Sequence, residues 1–292
     1  MATISRIATI AILAALAATL AAHIASAQKP ETLAAFDAYV RQAEAQIRKE
    51  QATRDSFLAI QSSPAGATEI EARLRHGEVL IDSRTTATEI SSGPIELPGG
   101  LLHHWRGLAF IPDATIDDLF AVLQDYDHSN RYYAPEVVTS RLISRNGDDF
   151  RVAMRLRKHY VVTVVLDTEY EIHYGQLDAA HRYSLSRSTR IAEIAYPGEP
   201  GERPLPAAHD HGFLWRLNSY WRFVQAPDGV FLQCEAISLT RDVPTGLNWL
   251  IGPYIKNIPR ESLLFTLNAT RNAVLANKNL NQPSHSTPTK IP

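Results

Sequence analysis

Three consecutive stretches decide the fold: Gly212-Phe-Leu-Trp-Arg-Leu-Asn-Ser-Tyr-Trp-Arg-Phe-Val-Gln225, the turn Ala226-Pro227-Asp228-Gly229, and Val230-Phe-Leu-Gln-Cys-Glu-Ala-Ile-Ser-Leu-Thr-Arg241. The outer two are rich in aromatic and branched residues and read as strands, and the Pro-Asp-Gly turn joins them as a hairpin. Pairing Gln225 with Val230 fixes the register, since antiparallel partners keep a constant sum. One face then carries Phe213, Trp215, Leu217, Ser219, Trp221 and Phe223 from the first strand, with Val230, Leu232, Cys234, Ala236 and Ser238 from the second. Large rings stand beside small side chains there. Interiors leave few voids larger than water, so small inward residues on a wide sheet need either a helix pressed close or a ligand in the gap. On the other face Glu235 falls opposite Tyr220 and diagonal to Arg222, and a cross-strand hydrogen bond or ion pair accounts for it without catalysis.

Outward from this hairpin, Arg260 to Lys278 places Leu263, Leu264, Leu267 and Val274 on one side of a closing helix. Residues 279–292 are polar and proline-rich, the composition of a disordered tail. Upstream, Val137 to Ser144, Phe150 to His159, Val161 to Tyr174 and Tyr183 to Ile194 read as strands, with Asn146-Gly147 as a hairpin signal. Before them come a short strand over Gly77 to Ser83, a strand over His103 to Ile111, and a helix capped by Asp113 or Thr115. Leu33, Phe36, Val40, Ala43 and Ile47 mark an amphipathic helix from Glu31 to about Gln51, expected to pack on the main domain. The turn-forming Ser62-Ser-Pro-Ala-Gly-Ala67 divides a helical segment, 28–62, from the main domain, 68–278. Strands followed by one long helix make an α+β arrangement.

The chain opens on Met1-Ala-Thr-Ile-Ser-Arg-Ile, an apolar alanine-rich run from Ala8 to Ala22, and Ala25-Ser26-Ala27. This predicts a secretory signal peptide over residues 1–27 and a mature chain starting at Gln28. The rival, a retained anchor, is disfavoured because the run is shorter than the about 20 apolar residues that cross a bilayer. The periplasm is the expected destination, with release outside the cell as the alternative. With 29 Lys and Arg against 31 Asp and Glu, the near-balanced charge gives no case for nucleic acid. The one cysteine, Cys234, excludes an intramolecular disulfide, as suits an exported bacterial protein, and its inward position predicts a buried, inert thiol.

The pattern Phe110-Ile-Pro-Asp-Ala-Thr, then Phe120-Ala-Val-Leu-Gln-Asp-Tyr-Asp, then Tyr133-Ala-Pro-Glu-Val-Val-Thr-Ser140, resembles the opening of the START-related superfamily of lipid-binding proteins and polyketide cyclases. The resemblance covers roughly residues 77 to 278 as element order. It implies a helix-grip fold, in which a curved antiparallel β-sheet wraps around a long C-terminal α-helix and encloses an apolar cavity, here with an extra N-terminal helix. It also implies that the segment entering the final helix, Asp242 to Pro259, frames the cavity mouth. Leu247, Trp249, Leu250, Ile251, Tyr254 and Ile255 are too apolar to be left in water, so the segment packs on the sheet, lids a ligand, or touches a membrane or partner.

Metal spacing is weak. His103 and His104 are adjacent on a strand and point to opposite faces, and His209 and His211 have no third ligand fixed by sequence. Surface positions are the expected account of the histidines, and no cofactor is expected. Asp167, Glu169 and Glu171 alternate with an apolar set, as on a solvated outer face. No nucleophile-base-orienter set or phosphate-binding glycine loop is present. The expectation is an exported protein that binds a hydrophobic small molecule or lipid without transforming it. The expected lining or lid comprises Trp215, Ser219, Trp221, Phe223, Cys234, Ala236, Leu247, Trp249 and Tyr254, with transient membrane contact through residues 247–258. The rivals are a cyclase or aromatase, which a buried Arg-Tyr-Glu set pointing into the pocket would favour, and an interaction module with a filled cavity docking through Ile251 to Ile258.

Overall fold

The computed structural model describes residues 29–61, 66–85, 97–159, 163–207, 209–242 and 248–281, without the side chains of 248–256 and 281. The expected signal peptide and Leu247 lie outside the described residues. Helix α1 (Pro30–Gln51) and helix α2 (Ala67–Arg75) precede strands β1 (Leu80–Ser83) and β2 (Gly100–Pro112). Helices α3 (Ile116–Leu123) and α4 (Ser129–Tyr132) lead into β3 (Val137–Asn146), β4 (Asp149–His159), β5 (Thr163–Asp178) and β6 (His181–Ala195). A short β7 (Arg203–Pro204), β8 (Arg216–Ala226), β9 (Gly229–Arg241) and helix α5 (Asn248–Asn281) complete the chain. The nine strands form one sheet in the order β1-β2-β9-β8-β6-β5-β4-β3, with β7 beside β6 and every pairing antiparallel. This is the α+β helix-grip architecture, a large sheet curved around one C-terminal helix with a further helix at the N-terminus.

Local chemistry sets the elements. The Thr115 hydroxyl accepts from the Asp118 N–H while the Asp118 carboxylate accepts from the Thr115 N–H, a reciprocal capping box that starts α3. Gln225 pairs with Val230 as its sequence predicts, and Ala226 with Gly229, so Pro227 and Asp228 alone turn the hairpin. Gly229 adopts φ 154, and a Cβ there would lie 2.3 Å from the Ile111 carbonyl oxygen. Only glycine fits that close approach.

The two faces are covered differently. On the inner face, Leu263, Leu267 and Val274 of α5 pack with Ile111, Phe223, Leu232 and Cys234, and α3 adds Leu119 and Val122. On the outer face, Phe36, Tyr39, Val40, Ala43 and Ile47 of α1 pack on Tyr220, Ile237 and Leu239. Phe57, Leu58 and Ile60, which follow α1, and Leu74 of α2 bury against Leu108, Phe110 and Phe231.

The structure corrects two of the element boundaries read from sequence. The helix expected from Arg260 begins at Asn248, so the segment read as a loop is largely its first turns, and residues 279–281 of the expected tail are its last. The helical backbone runs through Pro253 and Pro259, although each lacks the N–H for one backbone hydrogen bond. The strand expected from Gly212 begins at Arg216, which frees Phe213 and Trp215 from its alternation. Phe213 is exposed, and Trp215 joins the cluster beneath α1 and donates from Nε1 to Asp210 Oδ1 at 3.0 Å.

Candidate functional site

The sheet pairing fixes which side chains share each row of the inner face. At one level the row reads Trp105 on β2, Ala236 on β9, Ser219 on β8, Ser186 on β6, Ile172 on β5 and Phe150 on β4. The middle strands thus present small side chains and the flanking strands present large ones. Ser238 on β9 and Ser184 on β6 extend the small set on those two strands, while Leu217 and Trp221 flank Ser219 on β8, so the small positions make a diagonal trough from Ser238 through Ser219 to Ser184. α5 lies to one side of it, on β2 and β9. Gly107 on β2 permits the approach, since a Cβ there would meet Leu267 Cδ1 at 2.4 Å.

Burial separates a packed end from an open one. Phe223, Val230 and Leu232 are fully buried beneath α5 and α3, whereas Ser219, Ala236, Ser186 and Leu217 stay partly exposed although they sit on interior strands. The hydroxyls of Ser184, Ser186, Ser219 and Ser238 make no hydrogen bond to another described residue, and none is sealed off from open space. At the helix side, Tyr133 reaches across to Thr270 of α5, hydroxyl to hydroxyl at 3.0 Å. Burial pushes the Tyr133 phenol up to about 12, so near neutral pH it is an uncharged hydrogen-bonding group. The Tyr126 and Tyr174 hydroxyls pair at 2.7 Å, and burial raises both phenols above their ordinary range. Phe120 and Tyr174, in edge contact at 5.2 Å, also line an open cleft of about 790 Å³ between α3 and the β3–β4 and β5–β6 turns.

The outer face beneath α1 carries a second polar assembly. Arg222, wholly buried, donates from Nη2 to Glu235 Oε1 and from Nη1 to Glu50 Oε2 of α1 at 2.7 Å. His104 Nε2 lies 3.2 Å from Glu235 Oε2, its Nδ1 lies 2.7 Å from the Tyr39 hydroxyl, and Gln233 Nε2 donates to Glu235 Oε1 at 3.0 Å. Burial alone would raise the Glu235 carboxyl; the His104 hydrogen bond and the Arg222 charge outweigh it and hold the group well below the usual carboxylate range. Glu44 of α1 accepts from Arg187 Nη2 at 2.7 Å and from the Tyr220 hydroxyl at 2.9 Å.

Of the residues singled out from sequence, Ser219 and Ala236 lie in the open trough, and Trp221, Phe223 and Cys234 lie in the packed cluster beside it. Burial lifts the Cys234 thiol well above its ordinary value, which makes it inert. Trp215 is on the other side of the sheet, for the reason given above. Trp249 and Tyr254 belong to the backbone of α5, with side chains outside the description. The expectation of surface histidines fails at His103 and His104, 4% and 0% exposed, because β2 is covered on both faces. No group of three metal-ligating side chains occurs among the described residues. The serines of β6 went unremarked in the sequence, although Tyr183-Ser184-Leu185-Ser186-Arg187-Ser188 shows them at strand period.

No family model and no curated protein matches the chain. Solved structures do resemble it. A STAR-related lipid transfer protein from Xanthomonas axonopodis is 18% identical with a TM-score of 0.42, over 62% of this chain and 96% of that one. Human STARD10 is 11% identical with a TM-score of 0.46, over 70% and 72%. The Zhui aromatase/cyclase from Streptomyces is 12% identical with a TM-score of 0.41, over 64% and 99%. The overlap is partial in each case, and it is the strand order and the placement of α5 that define the helix-grip arrangement here.

Proposed function

We propose that this protein binds a hydrophobic small molecule, a lipid or an isoprenoid- or polyketide-like compound, in the trough between the inner sheet face and α5, and holds it without transforming it. The observation that carries this reading is the partial exposure of Ser219, Ala236 and Ser186 on interior strands, where close packing would bury them. Aromatic and aliphatic walls at Trp105, Leu217 and Ile172 supply apolar surface, worth about 25 cal/mol per Å² buried. Export by the signal peptide would deliver the mature chain to the periplasm, where residues 247–258 would cover the trough and meet a membrane during loading.

The cyclase reading gains little from the geometry. The buried Arg222, Tyr220 and Glu235 have the chemistry to polarise a carbonyl, yet they point to the outer face beneath α1, away from the trough. Tyr133 is held neutral and suits hydrogen bonding rather than proton abstraction. Native mass spectrometry of the mature protein purified from cells, followed by organic extraction, tests the proposal. A stoichiometric apolar adduct released on unfolding is the expected result. A clean unliganded mass with no lipid uptake would shift the weight to an interaction module.

A further inference from the structure

Ser184 and Ser238 are 4% and 5% exposed, take inner-face positions on β6 and β9, and have no hydrogen-bond partner among the described residues. Ser186 and Ser219 lie between them in the same trough, equally unpartnered. These hydroxyls open onto the trough, so an apolar ligand that displaces water from them without returning their hydrogen bonds is penalised. The charges tell the complementary half. Among the described residues, the ionisable groups on the inner-face alternation sit toward strand ends: Arg182 beside Asp117, Arg145 over the Phe150 ring, Lys158 with Glu136, Glu193 with His211, and His103 with Thr240. Arg187 on β6 and Arg222 on β8 point outward to Glu44 and Glu50 of α1. A ligand anion drawn into such a site would lose its hydration without gaining a counter-charge, a cost far above that of a neutral oxygen group.

We infer that the trough selects a neutral, oxygen-bearing hydrophobe over an anionic one and over a bare hydrocarbon. This rests on the trough being a ligand site. Three probes of matched chain, monoolein, oleyl phosphate and octadecene, separate the two statements when titrated into the delipidated mature protein under native mass spectrometry at neutral pH. Monoolein is expected to bind at least about tenfold more tightly than either of the others. Ser184→Ala and Ser238→Ala should each weaken monoolein about two- to tenfold and leave octadecene unchanged, a difference that a purely structural role for the serines would not produce. Oleyl phosphate or octadecene binding as tightly as monoolein would overturn the selectivity while leaving the ligand site standing. Retention of none of the three by a folded protein would overturn both.

Discussion

Glu235 shows how much hangs on single side chains in this sheet. It is buried among Arg222, His104 and Gln233, and its carboxyl is held below the ordinary range by those partners against the opposing effect of burial. A depressed native value means that the carboxylate stabilises the fold fully above the unfolded-state value, near pH 4.3. That contribution is lost as acid takes the pH down through this value toward the native one. Urea titrations from pH 7 to pH 3 should show stability falling with acid in the native protein, and Glu235→Gln should flatten part of that slope; an unchanged slope would remove Glu235 from the account. Glu235→Ala strands Arg222 without its nearest counter-charge, and a loss of about 3–5 kcal/mol is expected at pH 7 from the shift in urea midpoint. The cross-strand pairing of Glu235 with its neighbours was legible from alternation and register. That α1 would add Glu50 and Tyr39 to the same assembly was not, because contacts between elements far apart in sequence leave no local pattern.

At the level of elements, the trough exists because α5 and α1 take opposite faces of the same strands and α5 stays toward β2 and β9. Gly107 sets that distance. Gly107→Val would drive a branched side chain into Leu267 and Ile81, and overpacking of this kind costs about 1–3 kcal/mol. The expected outcome is a lower thermal midpoint with the sheet retained by circular dichroism; an unchanged midpoint would mean that the helix has slack at this contact. The hairpin register, the capping box and the amphipathic faces of α1 and α5 were readable, since each depends on short-range spacing and turn chemistry. The start of α5 was not. Gly252-Pro253 and Pro259 disfavour helix locally, and the long helix forms across them as propensity yields to tertiary context. The start of β8 was missed for a related reason: Trp215 keeps the alternation of a strand in sequence but is drawn to the outer face beneath α1 by Asp210 and the aromatic cluster.

For the whole molecule, the central proposal is that a sheet covered on both faces leaves part of its inner face open beside α5, at Ser219, Ala236 and Ser186, and that a ligand lies there. Sequence placed Ser219 and Ala236 on the inner face; that β6 lies beside β8, and β5 beyond it, follows only from the full strand order. Ser219 stands at its centre, between Ala236 and Ser186. The most direct test is uptake of a fluorescent lipid by Ser219→Trp, in which an indole fills the gap between the flanking walls. The account predicts that the variant keeps a cooperative thermal transition and loses uptake by at least about tenfold, an apolar occupant having replaced the ligand. A folded Ser219→Trp protein that takes up the probe as readily as the native one would contradict it.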